Sequence, residues 1–384
     1  MRLTPVFLGV LLASPASAIT LYDDNLNRFS VGGHLGFNLV QTDGDTELLD
    51  SSSRIRFHYE RSVTREWTAE AMMEWGFNAI DSGSQLTLNG DSLQAAREGD
   101  FLFNRLGFLA FEHDRYGRLS AGKQWSVYYD VAGPTDNFIM TGGLASGTYN
   151  FGSDGGLSGT GRADSALQYR NDWGGFSVGL QYQARVAGEV GILPPPECEE
   201  ENPPAECVVF EDVDIEYDDS YGASLRYRWQ NWMVGVAYNR GDFDSTFRRQ
   251  QVAELKDEAL IFGASYGTLY QPGLYLAVNY ADTENHEIDN QNRVFNGNGY
   301  EVMLNWTFDN NLTLVSGINE LKSDDASYEE VNGVYRKRLY IVGAHYEWGT
   351  QLRLYFEAKI DDSDFGFEGL GEEDLYGIGA RFFF

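Results

Sequence analysis

The stretch FSVGLQYQARV, Phe176–Val186, alternates apolar and polar side chains over eleven residues. In a β-strand this alternation puts the apolar set on one face and the polar set on the other. Similar alternation occurs at residues 55–59, 221–229, 300–308 and 351–360. A strand in a soluble sandwich usually has about 5–6 residues, whereas a tilted strand needs about 9–11 to cross a bilayer. The longer stretches therefore favour strands that cross a membrane.

The composition excludes several classes of protein. The chain has 384 residues, of which 58 are acidic and 28 basic, and its formal net charge is −30. Nucleic-acid binding through phosphate neutralisation needs clustered Lys and Arg, so we expect no nucleic-acid partner. The aromatic content of 14% argues against disorder. A membrane helix needs an apolar run of about 20 residues, and no segment after residue 18 has one. A soluble acidic β protein and a membrane β-barrel remain.

The N-terminus has the pattern of a secretory signal peptide. A basic start at Met1-Arg2 is followed by the apolar stretch 6–13 and the small residues Ala16-Ser17-Ala18. We expect residues 1–18 to be removed after export through the periplasm, and residues 19–384 to form a single β-barrel domain. A buried N-terminal helix is the alternative.

Export also affects the two cysteines, Cys198 and Cys207, which lie in a stretch rich in Pro and Glu. In an oxidising compartment a disulfide within one long loop is expected. A metal site is the weaker alternative, because no His lies nearby and two thiolates alone hold zinc poorly. We expect no metal and no cofactor.

The breaks between the alternating stretches predict sixteen strands. Seven short turns separate eight longer polar segments, near 41–51, 79–100, 127–162, 187–218, 242–257, 283–297, 324–335 and 363–372. An even strand count with short turns at one end and long loops at the other is typical of outer-membrane barrels. We therefore predict an all-β fold, a transmembrane, antiparallel, up-and-down barrel closed by pairing its first and last strands. Sixteen strands leave an aqueous lumen. A lectin-like sandwich is the alternative fold.

Tryptophans recur at predicted strand ends, as expected for aromatic girdles at both membrane interfaces. They are Trp67, Trp75, Trp232, Trp306 and Trp348.

The chain ends in LYGIGARFFF, Leu375–Phe384, with one apolar face and a terminal aromatic residue. This segment resembles the last strand of Gram-negative outer-membrane proteins. The resemblance implies that Phe384 is the signal read by the barrel-assembly machinery.

A second resemblance covers the third long segment. YGRLSAGKQ at 116–124, YYD at 128–130, PTD at 134–136, TGG at 141–143 and LQYRN at 167–171 look like general trimeric porins. The resemblance implies a third loop, about 127–162, that folds into the barrel and narrows the pore. It also implies a homotrimer in the outer membrane.

The family's constriction sets basic wall residues against acids on the inserted loop. By resemblance the basic wall comprises Arg54, Arg105, Arg162, Lys123 and His34, where His34 replaces a family lysine, and the acidic loop comprises Asp136 and Asp130. The family's loop glutamate is missing, since residues 139–141 are Ile-Met-Thr. An Arg on such a strand can equally be a solvated lumen residue, and Asp136 a turn former after Pro-Thr.

The expected function is passive diffusion of small polar solutes and ions through a water-filled channel. No catalytic motif is present, so we expect no enzyme activity and no catalytic residue. A substrate-specific oligosaccharide channel, chitoporin- or maltoporin-like, is the alternative. The carboxylates predict a mild cation preference. The excess in the loops predicts either divalent-cation bridges to lipopolysaccharide or solubility at high salt.

Overall fold

The computed structural model of the protein describes residues 18–42, 44–80, 102–150, 153–190, 213–247, 250–290, 293–368 and 373–384. Within these ranges sixteen antiparallel strands pair in the order of the sequence. They are β1 Asn27–Thr42, β2 Asp45–Asp50 with Arg54–Ser62, β3 Trp67–Phe77, β4 Leu102–His113, β5 Gly117–Trp125, β6 Arg162–Trp173, β7 Phe176–Gln183 with Val186–Val190, β8 Val213–Tyr217 with Ser220–Trp229, β9 Trp232–Phe247, β10 Gln250–Tyr266, β11 Gly273–Ile288, β12 Val294–Thr307, β13 Leu312–Ser323, β14 Tyr335–Trp348, β15 Leu352–Asp361 with Asp364–Phe365, and β16 Leu375–Phe383.

The barrel closes between β16 and β1, where Leu35 pairs with Phe382. The N-terminal segment Ile19–Asp23 also pairs with β1 and prolongs the line of β16. The Phe384 amide donates to the Gly33 carbonyl over 3.1 Å, and the Gly33 amide donates to the Phe384 carbonyl over 2.9 Å. Closure satisfies the edge groups, each of which would cost several kcal/mol if left unpaired in hydrocarbon.

Strand β7 shows how the alternation is used. Phe176 and Leu180 are exposed on the outer face, whereas Gln181 and Gln183 are buried on the inner face. Exposed apolar residues recur at alternate positions around the other strands. They form a lipid-facing band around a polar interior, so the prediction of a sixteen-stranded membrane barrel is confirmed.

The seven short turns fall where the sequence predicts them, but three predicted long loops do not. These are 41–51, 242–257 and 283–297, most of which belong to strands. For example, β9 continues to Phe247 and β10 begins at Gln250. Where a strand continues beyond the membrane, its outer face meets water instead of lipid. The apolar alternation is then no longer required, and the sequence looks like a loop.

The exposed tryptophans cluster at the short-turn end of the barrel. They are Trp67, Trp173, Trp229, Trp232, Trp306 and Trp348. Trp75 lies toward the other end of β3 and is half-buried. Exposed tyrosines such as Tyr221 and Tyr376 lie toward the long-loop end of the barrel. The two girdles therefore differ in composition.

Two short helices lie in the connections, α1 at Tyr129–Ala132 and α2 at Ala326–Asn332. In the described part of the chain, neither the length nor the apolarity of any helix is sufficient for a membrane span.

Candidate constriction site

The connection between β5 and β6, residues 126–161 and hereafter loop 3, lies against the inner face of the barrel. On β7, Gln181 donates a hydrogen bond to the Gly159 carbonyl over 2.8 Å. On β11, the Tyr275 hydroxyl donates to the Pro134 carbonyl over 2.7 Å. Both wall residues occupy buried positions that alternate with the exposed apolar face, so loop 3 crosses the inside of the wall.

Glycines on the wall make room for loop 3. A Cβ at Gly299 on β12 would lie 1.7 Å from the Ala145 carbonyl oxygen. A Cβ at Gly317 on β13 would lie 2.4 Å from the Phe138 ring. The same relation joins Gly263 with Val131 and Gly377 with Met140. A glycine inside a strand often marks a close approach by another part of the chain, and here these glycines follow the path of loop 3.

The start of loop 3 is held by an ion pair. Arg170 Nε on β6 donates to Asp130 Oδ2 over 3.0 Å, and Arg226 on β8 lies 3.6 Å from the same oxygen. Next to this pair, the Trp125 ring stacks on Tyr129 with 3.9 Å between centroids. Burial opposes the ionisation of Asp130, but attraction to the two arginines outweighs it and lowers the pKa of the carboxyl.

The end of loop 3 is held in the same way by Asp154. Arg162 Nε donates to Asp154 Oδ2 over 2.9 Å, and Lys123 Nζ lies 3.0 Å from that oxygen. Lys123 also lies 2.8 Å from Asp164. Burial opposes the ionisation of Asp154, but Arg162 and Lys123 outweigh it and lower its pKa. Arg162 is fully buried, so its ion pair with Asp154 is shielded from solvent.

The tip of loop 3, residues 135–145, is held through its backbone. The Ile139 and Met140 amides donate to Glu357 on β15, over 2.8 Å to Oε1 and 2.7 Å to Oε2. The Ala145 amide donates to Glu301 Oε1 on β12 over 2.9 Å. Both carboxylates are buried. Hydrogen bonds that backbone amides donate to a carboxylate are charge-assisted and strong, so these acids fix the tip against the wall.

A basic cluster, Arg54, Arg56 and Arg105, surrounds Glu74 on another part of the wall. Arg105 Nε lies 3.0 Å from Glu74 Oε1, Arg56 Nη2 lies 2.7 Å from Oε2, and Arg54 Nη1 lies 3.9 Å from Oε1. Glu74 and Arg105 are buried, while Arg56 is more exposed. Among the described residues, three guanidinium groups thus lie around the Glu74 carboxylate.

A β-bulge points Arg105 at Glu74. The pairing of β3 with β4 shifts between Glu74, opposite Leu106, and Trp75, opposite Asn104, which leaves Arg105 as the extra residue. Bulges redirect side chains in this way. Arg105 therefore joins the inward-facing set in spite of the alternation.

His34 and Asp136 take separate positions. His34 is buried on β1 opposite Arg54, and its Nε2 lies 3.1 Å from the Ser51 carbonyl oxygen. Asp136 Oδ2 accepts hydrogen bonds from the hydroxyls of Tyr129 and Tyr149 over 2.8 and 2.7 Å. Two tyrosines of loop 3 thus orient the Asp136 carboxylate.

The residues predicted by resemblance fall into four groups. His34 and Arg54 lie near Arg105, Lys123 joins Arg162 at the loop end, Asp130 lies at the loop start, and Asp136 lies near the tip. Sequence reasoning missed Arg56, Glu74, Arg170, Arg226, Glu301 and Glu357. Each of these is a charged residue at an inward position of an alternating strand, and this is the signal that could have identified them. Cys198 and Cys207 lie outside the described residues.

The chain matches a family model described as Gram-negative porin over residues 6–381. It is 25% identical over 407 residues to outer membrane protein S2 of Salmonella typhi, covering 98% of this chain and 97% of that protein. It is 24% identical over 379 residues to outer membrane porin C of Rahnella aquatilis, covering 94% and 100%. Among solved structures, the Salmonella typhi OmpF complex with daunomycin has a TM-score of 0.71 at 19% identity, covering 95% of this chain and 100% of that one. The chain therefore belongs to the Gram-negative porin family, and it is an outer-membrane channel for the passive diffusion of small hydrophilic solutes and ions.

Proposed function

We propose that solutes pass a constriction bounded on one side by loop 3 and on the other by the basic cluster, with His34 beside it. The observation that supports this is the path of loop 3, which is bonded to β7, β11, β12 and β15. The basic cluster lies on β2 and β4, on another part of the wall. The aperture between them sets the size limit.

Within this constriction, Arg162, Lys123 and Asp130 hold loop 3, and Asp136 supplies negative charge on the loop side. The basic cluster and Asp136 create a field across the passage that orients dipolar solutes and disfavours apolar ones. The net charge of −30 draws cations to the mouth. Because screening acts over about 8–10 Å at physiological salt, the local arginines oppose this attraction, and a mild cation preference results.

The test is the reversal potential of single channels in a KCl gradient. The unsubstituted protein should prefer cations mildly, and Arg105→Ala should increase that preference because one fixed positive charge is lost. Arg115→Ala, in the turn at 114–116, is the matched control and should leave the potential unchanged. A chloride preference of the unsubstituted channel would contradict the charge assignment. Block by micromolar oligosaccharide would contradict a general channel.

Further proposals concern the assembly and processing of the protein. We propose a homotrimer, which should close in three equal conductance steps. The barrel-assembly machinery would recognise Phe384, and divalent cations would bridge loop carboxylates to lipopolysaccharide. Residues 1–18 would be cleaved as a signal peptide, and Cys198 and Cys207 would form a disulfide in the oxidising compartment.

A further inference from the structure

The turn at residues 267–272, between β10 and β11, contacts a part of the wall several strands away. The Tyr270 hydroxyl lies 3.1 Å from Nδ1 of His345 on β14. Neighbouring strands lie about 4.8 Å apart, and β14 is three strands beyond β11. The turn must therefore lean into the lumen to make this contact, because a turn that continued the wall would not reach so far.

Two further contacts hold the turn in this position. Leu269 packs against the inward cluster of Tyr275 and Met303, where Phe138 of loop 3 also packs. The guanidinium of Arg353 on β15 lies 3.9 Å from the centre of the Tyr270 ring. Tyr270 has a φ of +59°, a left-handed conformation that is uncommon for a large side chain. These surrounding contacts compensate for the disfavoured backbone.

A continuous chain of hydrogen bonds links this turn to the tip of loop 3. His345 Nε2 lies 2.8 Å from Glu357 Oε1, the oxygen that also accepts from the Ile139 amide. A carboxylate only accepts, so Nε2 carries the proton, and in the neutral ring Nδ1 accepts from the Tyr270 hydroxyl. Tyr270 thereby orients His345, and His345 orients the carboxylate that grips the tip.

We propose that Tyr270 is a positioning residue of the constriction, which supports the tip of loop 3 from the periplasmic side through His345 and Glu357. This inference rests on the proposed function, because it requires loop 3 to bound the passage. The short turns of such barrels face the periplasm. The support therefore acts on the constriction from the side opposite the long loops.

The test compares Tyr270→Phe with the unsubstituted channel in planar bilayers. The variant keeps the ring and its contact with Arg353 but loses one hydrogen bond. We expect brief current interruptions to become about two- to tenfold more frequent, as the loss of one hydrogen bond implies. Tyr116→Phe, an exposed tyrosine in another short turn, is the matched control. Unchanged heat-modifiable migration on gels verifies that each variant folds.

A double-mutant cycle with Glu357→Gln tests whether Tyr270 acts through Glu357 or only stabilises its own turn. If Tyr270 acts through Glu357, adding Tyr270→Phe to Glu357→Gln should produce little further increase. Additive effects, or Tyr270→Phe channels as quiet as the unsubstituted protein, would overturn the inference. His345→Gln provides a second route into the same chain if Tyr270→Phe fails to fold. An effect of Arg105→Ala on selectivity without any effect of Tyr270→Phe would refute this inference alone. The reverse result would refute the role of the basic cluster in the proposed constriction and leave this inference standing.

Discussion

The two ends of loop 3 and its tip are attached to the same wall by different means. At the ends, loop carboxylates pair with wall cations, as Asp130 does with Arg170 and Asp154 does with Arg162. At the tip the polarity is reversed, because the wall residue Glu357 accepts hydrogen bonds from loop amides. Side-chain charge fixes the ends, whereas backbone donors and the space left by glycines fix the tip.

This difference determines which residues, those of the loop or those of the wall, set the position of each part of loop 3. The ends depend on particular loop side chains, so a substitution in the loop should release them. Apart from the Thr135 hydroxyl, which bonds to Glu301 and Asn279, the tip depends on amides that every residue except proline carries. Its position is therefore encoded in the wall, by buried carboxylates and by glycines, and substitutions there should displace it.

The largest effect is expected at the loop end from Asp154→Asn. The change keeps the shape but removes the Asp154 carboxylate that pairs with the fully buried Arg162. Breaking a buried pair by removing one partner costs about 3–5 kcal/mol, and we expect the low end because Lys123 keeps Asp164 at 2.8 Å. Denaturant unfolding monitored by tryptophan fluorescence measures the loss, and current interruptions should become more frequent.

The control for this variant is Glu216→Gln, which breaks a pair with Arg185 in which both side chains are about half exposed. An exposed pair contributes about 0–1 kcal/mol. If Asp154→Asn cost no more than this control, charge would not be what holds the end of the loop.

A smaller effect is expected at the tip from Gly299→Ala. The new methyl would lie 1.7 Å from the Ala145 carbonyl oxygen, so the tip must move away from β12. Overpacking of this kind costs about 1–3 kcal/mol, and the conductance should change because the tip bounds the passage in the proposed constriction. Gly107→Ala is the matched control, since the atoms nearest its Cβ are 3.7 Å away. Equal behaviour of the two variants would contradict the role of the wall glycines.

The fold could be predicted because lipid outside the barrel and water inside it require apolar and polar side chains to alternate along each strand. That rule identified the sixteen strands and the short turns. It failed at 242–257, where β9 and β10 continue although the apolar alternation stops. The barrel was therefore predictable at membrane depth, and the height of its strands above the membrane was not.

The site was predictable only in part, for a related reason. The resemblance identified Arg105 but not its partner Glu74, which lies on the neighbouring strand. The two side chains are brought together by a β-bulge, and no local sequence pattern predicts that bulge. The contact between Gly299 and Ala145 joins segments more than 150 residues apart. The only sign of this contact in the sequence is a glycine at an inward position, two residues before the inward-facing Glu301.

The smallest effect is expected from mild acid. Despite their burial, Asp130 and Asp154 have pKa values below the usual range because of their cationic partners. The ordinary value for Asp is about 3.9. A carboxylate with a lowered folded pKa contributes stability above its unfolded pKa and loses it only as the pH falls through the folded value. Between pH 7 and about 5 both ends should stay attached, so interruptions of the unsubstituted channel should be equally frequent at the two values. An increase at the lower pH that Asp154→Asn abolishes would mean that the loop end titrates in this range, and the ion pair would be weaker than its burial and distances imply.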